Sequence, residues 1–343
     1  MFLPFLAAVV LANPSTAQPI QAAKAIVTLS LMPSEPLNEE NYLRAVRDEI
    51  KLGVQGTYVN VKWTDLENDQ PFNAKAIQDQ LGIAKLLGGD VVVCIKPVDT
   101  SVKTVPIAYM TRPFDDPEVL KRWEEMLQNV IPLLPKNTKA IALGNEVDVY
   151  FNNHPNELPS YMNLVKSART FLRGAGLKIP VGVITTYDGL QRHPDLVKQI
   201  QSNFDITMMT YYPLTQNFEV LPMNQVGSHF DAMVALAGSK PLFLTEIGCP
   251  AGEANKSSED IQAQFVTNAF DQLRQKGSKV AFANFFIQGD FPDSVLDVLE
   301  NYYQLKDESF RSYLGTLGLR KSNGTPRKSY AEFKKQLRAW TGD

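Results

Sequence analysis

The stretch IALGNEVDVYF, residues 141–151, decides how this chain is read. It starts as a buried strand, Ile141, Ala142 and Leu143, and then passes through Gly144 into an amide and a carboxylate, Asn145 and Glu146. Two other Asn-Glu pairs, Asn38-Glu39 and Asn156-Glu157, fall where a helix start or a loop is expected. Only the copy at 145–146 ends an apolar strand. A strand that runs from core residues straight into polar ones places those side chains at its C-terminal tip.

The rest of the chain repeats the pattern. Eight β-rich runs, at 25–32, 56–63, 90–97, 140–146, 181–187, 205–212, 241–248 and 280–287, alternate with helical segments. Several are continuously apolar, as strands buried on both faces are. The intervening helices carry their own signals. Asn38 precedes a helix with Leu43, Val46 and Ile50 on one face and Gly53 as its stop. Ser257 with Asp260 resembles a capping box before Ile261, Phe265, Ala269 and Leu273, and Gly277 ends that helix. Tyr330, Phe333, Leu337 and Trp340 mark a last amphipathic helix. Eight β/α units predict an α/β protein of one domain, a (β/α)8 TIM barrel over residues 23–343, a fold that takes roughly 250 residues plus insertions. The competing architecture, an open doubly wound sheet, usually shows a glycine-rich turn after its first strand. Here that turn reads PSEPLNEEN, without glycine.

Composition narrows the function classes. The 343 residues carry a net charge of −3 with no long basic run, which argues against nucleic acid as a partner. The two cysteines, Cys94 and Cys249, make neither a disulfide framework nor a metal-ligand pattern. Three histidines, His154, His193 and His229, lack metal-ligand spacing. No Gly-x-Ser-x-Gly elbow or phosphate-binding glycine loop occurs. No cofactor or metal is therefore expected. Residues 1–17 read as a signal peptide: an apolar stretch from Phe2 to Ala12, then small residues at Ser15 and Ala17, with cleavage after Ala17. They depart from the usual pattern in having no Lys or Arg before the apolar segment. The expectation is a secreted or periplasmic protein with no membrane association after cleavage. Nothing in the sequence sets an oligomeric state.

In such a barrel the chemistry stands at the C-terminal strand ends. The fourth run ends in Asn145-Glu146 and the seventh in Thr245-Glu246. The two glutamates are three β/α units apart and can face one pocket. Paired carboxylates suit glycosidic cleavage: one gives a proton to the leaving oxygen and the other attacks the anomeric carbon, with retention when they stand about 5–5.5 Å apart. The plainer alternative for each glutamate is a salt bridge with Lys or Arg at the barrel end.

These motifs resemble those of the clan A glycoside hydrolases. LGNE (143–146) and LTEIG (244–248) match the clan's strand-four Asn-Glu and strand-seven Glu. The resemblance implies Glu146 as acid/base, Glu246 as nucleophile and Asn145 as partner of the sugar 2-hydroxyl. DITMMTYYP (205–213) looks like the clan's strand-six segment, which implies Tyr212, rather than Tyr211, as the residue holding the nucleophile. GLRKSNGTPRKSYAEF (318–333) is similar to the clan's exit into the last helix. TYYP and TEIG are closest to endo-β-1,4-galactanases, with β-mannanases next. The implied substrate is a β-linked oligo- or polysaccharide.

Two departures from the clan pattern stand out. Where many members carry an arginine near the end of strand two, VNVKW offers Lys62 beside Trp63. Where many carry a strand-eight tryptophan as the floor of the sugar site, Phe285 or Phe286 must serve. Other residues admit two readings. Lys96 ends the third run on the face of Cys94, placed for a Schiff base in a lyase or for contact with substrate. Asp99, Asp148, Asp188, Asp290 and Asp293 lie in or near strand-end loops, as sugar ligands or turn residues. Trp63, Tyr58, Tyr150 and Phe151 either stack on sugar rings or pack the wall. A sugar-binding barrel that has lost catalysis is the non-enzyme alternative, although such a protein needs neither glutamate.

Overall fold

A computed structural model describes residues 24–68 and 70–342. The signal-peptide expectation, residues 1–17, lies outside the described residues. Ten strand segments alternate with helices: β1 (Ile26–Leu29), β2 (Gly56–Lys62), β3 (Asp90–Asp99), β4 (Val102–Lys103), β5 (Thr138–Asn145), β6 (Val181–Gly182), β7 (Ile184–Thr186), β8 (Thr207–Tyr211), β9 (Leu242–Ile247) and β10 (Val280–Phe285). They supply eight barrel positions. β6 and β7 are two halves of the fifth barrel strand, interrupted at Val183. β4 is a short antiparallel return on β3.

All other pairings are parallel, in two paths, β2-β3-β5-β6 and β7-β8-β9-β10-β1. The paths meet within the fifth strand and again between β1 and β2. At that second junction Gln55 acts for a ladder: its N–H donates 3.0 Å to the Val27 carbonyl, and its side-chain carbonyl accepts 2.9 Å from the Val27 N–H. Further along β2 the side-chain amide of Gln80 satisfies both backbone groups of Asn60. The expected (β/α)8 barrel is the fold observed.

The apolar runs divide by face, as alternation on a strand requires. Val92, Cys94, Ala142, Met208, Phe243 and Phe282 fill the barrel interior. Val91, Val93 and Ile95 face outward against helices. Both cysteines are free and buried.

Helix boundaries follow local chemistry, with two corrections to the sequence reading. Asn38 caps helix Glu39–Leu52, and Gly53 ends it at φ 80°. The buried face of that helix is Asn41, Ala45, Val46, Glu49 and Leu52; Leu43 and Ile50 are exposed. Helix Glu259–Lys276 is capped by Ser258, whose side chain accepts from the Ile261 N–H. Ser257 instead donates its hydroxyl to the Pro250 carbonyl. The sequence placed both signals within one helical turn of the true position, where neighbouring Ser residues compete for one cap.

Helix Lys328–Thr341 closes the barrel. It buries Phe333, Leu337 and Trp340, and the Trp340 indole donates to the Ala25 carbonyl on the approach to β1. Between β10 and this helix lies an insertion with helices Asp293–Tyr303 and Glu308–Gly315. Its base is held by a buried pair, Arg327 with Asp290 at 2.7 Å. Asp290 also accepts from the Gly318 N–H, which makes it a structural residue rather than a sugar ligand. Asp293 pairs with Arg311 on the exposed side of the insertion. Among the described residues no helix is long and apolar enough to cross a membrane.

Candidate active site

At the C-terminal end of the strands is a cavity of about 1110 Å³, whose walls include Asn145, Glu146, Tyr212 and Glu246. Glu146 arrives through an unusual backbone. Gly144 takes φ 119°, and a Cβ there would stand 2.3 Å from the Tyr161 hydroxyl. Only glycine fits both demands. Glu146 itself sits at φ 48°, a left-handed conformation costly for a residue with a Cβ and found preferentially at functional sites. The answer to why the strand runs into polar residues is geometric: the chain turns there, and the turn projects both side chains into the mouth.

Opposite lies Thr100, also left-handed at φ 54°, at the tip of the two-residue turn joining β3 to β4. Its N–H donates 2.8 Å to the Asn145 carbonyl, and its hydroxyl donates 2.8 Å to Glu146 Oε2. The Thr210 hydroxyl donates 2.7 Å to Glu146 Oε1. Both carboxylate oxygens are therefore fixed. Thr210 is also the β8 residue in register with Glu246 on β9, so one threonine links the two glutamates.

Glu246 accepts 2.8 Å from the Tyr212 hydroxyl. Tyr211 points the other way: it is fully buried and its hydroxyl meets His229 Nδ1 at 3.0 Å. A residue just beyond the strand end faces the mouth while its predecessor faces the helices, as period-two alternation dictates.

Level with Asn145, at the tip of β3, is a second polar group. Asp99 accepts from Lys96 Nζ at 2.8 Å, from Asn145 Nδ2 at 3.2 Å and from the Tyr302 hydroxyl at 3.1 Å. The side-chain carbonyl of Asn145 is buried and has no protein partner, leaving an acceptor for a ligand hydroxyl.

The electrostatics follow from burial. Burial raises Glu246, helped by the charge of Glu146, while Tyr212 and Lys96 pull it down. Glu146 is also raised, again mainly by burial, against the Thr210 and Thr100 hydrogen bonds. Two mutually repelling carboxyls in one partly buried site hold a shared proton more tightly than either would alone. For Lys96, burial acts downward, but Asp99, Cys94 and Glu246 outweigh it and the amine ends above its usual range. A Schiff-base lysine needs the neutral amine. Lys96, held 2.8 Å from the Asp99 carboxylate, is placed as a cation rather than as the neutral amine of a Schiff base.

The other expected residues divide. Phe286 lines the cavity and meets Tyr212 edge-on at 6.4 Å, whereas Phe285 faces outward onto Phe270 and Phe333. Lys62 reaches the rim, 3.5 Å from Asp65 and 5.0 Å from the Tyr302 ring. The cation acting on both glutamates is Lys96, so the positive charge expected from Lys62 comes from the third strand. Trp63 is a clear correction. It is 0% exposed, packs on Trp123 at 4.6 Å and donates its indole N–H to Glu67. It begins a helix just outside the barrel, where no sugar reaches.

Phe151 is likewise fully buried, and Tyr150 donates to Glu157 at 2.9 Å; both pack the wall. Tyr58 lines the cavity. Asp148 accepts from the Thr186 N–H and hydroxyl and braces the fifth strand end. Asp188 pairs with Arg192 at the cavity wall. Sequence reasoning missed Thr100, Thr210, Tyr302, Tyr303 and Tyr313. The adjacent tyrosines in ENYYQ (300–304) were the available signal for two of them.

No family model matches the chain, and no curated protein matches it. Solved structures do. A GH5_18 protein from Streptomyces cattleya in complex with GlcNAc aligns with TM-score 0.68 and 17% identity, over 94% of this chain and 82% of that one. An exo-beta-1,4-mannosidase from Opitutaceae bacterium strain TAV5 aligns with TM-score 0.68 and 16% identity, over 95% and 62%. Xylanase 10B from Thermotoga maritima gives TM-score 0.64 and 12% identity, over 93% and 96%. At these identities the likeness is one of fold: the chain shares the barrel of proteins with glycosidase names.

Proposed function

We propose that the protein is a retaining glycoside hydrolase that cleaves β-linked sugars through Glu146 and Glu246. One observation carries this reading: two half-buried glutamates, on the fourth and seventh barrel strands, share a cavity, and each is held by hydroxyl donors. In the first step the protonated Glu146 gives its proton to the glycosidic oxygen as the anomeric C–O bond breaks. A Glu246 oxygen forms the new bond to the anomeric carbon. In the second step Glu146 takes a proton from water, the water oxygen replaces Glu246, and the original configuration returns.

Tyr212 supports the division of roles. A phenol above its usual range donates and does not accept a carboxylic proton, so its hydrogen bond favours the ionised form of Glu246. Asn145, with its open carbonyl, is placed for a hydroxyl of the sugar in the site. The neighbours named above include a mannosidase and a xylanase, and a related GH5_18 structure holds Manb1-4GlcNAc; β-mannosides are the first substrates to try. The proposal includes export, on the apolar leader at 1–17.

The test is a panel of aryl β-glycosides followed by the matching 2-deoxy-2-fluoro glycosides. The expected result is turnover with retention and a sugar adduct on the peptide containing Glu246. Turnover with inversion would defeat the covalent mechanism, and oligosaccharide binding without turnover or labelling would leave a silent sugar-binding barrel.

A further inference from the structure

The insertion after β10 crosses the barrel mouth. It leaves the eighth strand at Asp290 and returns to the last helix near Arg327, and in between it touches two distant parts of the rim. At the third strand the Tyr302 hydroxyl donates 3.1 Å to Asp99, and Tyr303, edge-on to Tyr302 at 4.9 Å, lines the cavity together with Thr100, the residue that holds Glu146. At the sixth strand Tyr313 packs edge-on against Tyr212 at 5.3 Å, the residue that holds Glu246. Tyr313 also stacks on Phe218 at 5.4 Å, from the loop that follows β8. Thus the insertion touches the rim on both sides of the carboxylate pair: at Asp99, which accepts from Asn145 beside Glu146, and at Tyr212, which donates to Glu246.

A span fixed at both sides is a roof. Below it the cavity continues sideways between β1 and β2 as far as Tyr42 and Gln80, and on the other side to Asp188 and Arg192. Its volume, about 1110 Å³, lies just above the range of small-ligand pockets, roughly 300–1,000 Å³. Internal cleavage of a polymer needs an open cleft into which the middle of a chain can be laid from above. A roofed site admits a chain only by its end, whether the space beneath is blind or opens at the far side.

We propose that this roof makes the protein an end-acting glycosidase, which takes the terminus of a β-linked oligosaccharide under Tyr302, Tyr303 and Tyr313 and leaves internal linkages uncut. The inference rests on the glycosidase reading. The leaving part of the chain points away from Glu246 past Glu146, the acid that protonates it.

The experiment compares β-1,4-mannohexaose and β-1,4-galactohexaose, each with a free non-reducing end and with that end blocked as a 4,6-O-benzylidene acetal. Aryl β-glycosides of mannose and galactose serve as the activity control. The expected outcome is release of mono- or disaccharide from a free hexaose from the first minutes, with the blocked hexaose cut at least 100-fold more slowly. Comparable rates on the blocked hexaose, with mid-length products appearing first, would overturn end action and leave the glycosidase reading standing. Absence of turnover on every substrate, aryl glycosides included, would remove both.

Discussion

The barrel mouth is made of two constructions that differ in kind. The carboxylate centre is built from strand ends: Thr210 and Glu246 are partners in a parallel ladder, Glu146 and Tyr212 stand one residue past a strand, and hydrogen bonds of 2.7 to 2.8 Å tie them. The roof is an insertion packed by aromatic faces, and it leaves Val298 65% exposed and Leu305 37% exposed at its edge. Strand register holds an atom to a fraction of an ångström because every neighbour in the sheet must move with it. Aromatic packing of a short helical excursion holds a surface in place but tolerates small shifts. Chemistry belongs with the first kind of construction and substrate choice with the second. The contrast assigns different kinetic signatures to the two regions, and each can be checked.

The largest effect is expected at the centre. Glu246→Ala should abolish turnover, and azide entering the vacated space should restore it while giving the inverted glycosyl azide. Glu146→Ala should lose about 10²–10⁴-fold on natural glycans, the usual worth of general acid–base catalysis, yet retain turnover of aryl glycosides whose leaving groups need no proton. Wild-type rates for either variant on a glycan would break the assignment.

A smaller, more specific effect is expected at Thr100. Thr100→Val keeps the branched shape and removes the donor to Glu146, at a cost of about tenfold in kcat/KM, the scale of one hydrogen bond to a charged group. The sign of the pH effect follows from the hydrogen bond, which lowers the Glu146 pKa. Without it that pKa rises, so the alkaline limb of the kcat/KM profile should move to higher pH. Thr100→Ser should restore the wild-type limb. An unmoved limb in the valine variant would reduce Thr100 to a turn residue.

The smallest effect belongs to the roof. Tyr302→Phe removes the hydrogen bond to Asp99 but keeps the ring, and should cost about fivefold, the worth of an ordinary hydrogen bond. The loss should appear in KM, with kcat little changed. A larger loss than that of Thr100→Val, carried by kcat, would erase the distinction between centre and roof and bring Tyr302 into the chemistry.

How much was legible in advance varied with the range of the interaction. The eight runs, the polar tips of the fourth and seventh strands and the choice of Tyr212 over Tyr211 were readable because strand periodicity is local. Trp63 was misjudged because one residue past a strand end decides between mouth and outer wall. The chain enters a helix at Trp63, which turns the indole toward Trp123. Lys62 was expected to supply a charge that Lys96 supplies, since sequence shows which strand ends carry cations but not which of them lies near the carboxylates.

By itself, then, the sequence determined the barrel and the pair of strand-end glutamates. Both follow from patterns repeated within each unit of the chain. Tertiary structure alone decided that Thr100 and Thr210 grip Glu146, that Asp99 gathers Lys96, Asn145 and Tyr302, and that residues between β10 and the last helix roof the site. Those contacts join positions up to 203 residues apart. No local pattern encodes such a meeting; it exists only once the barrel has closed and carried the strand tips to one face.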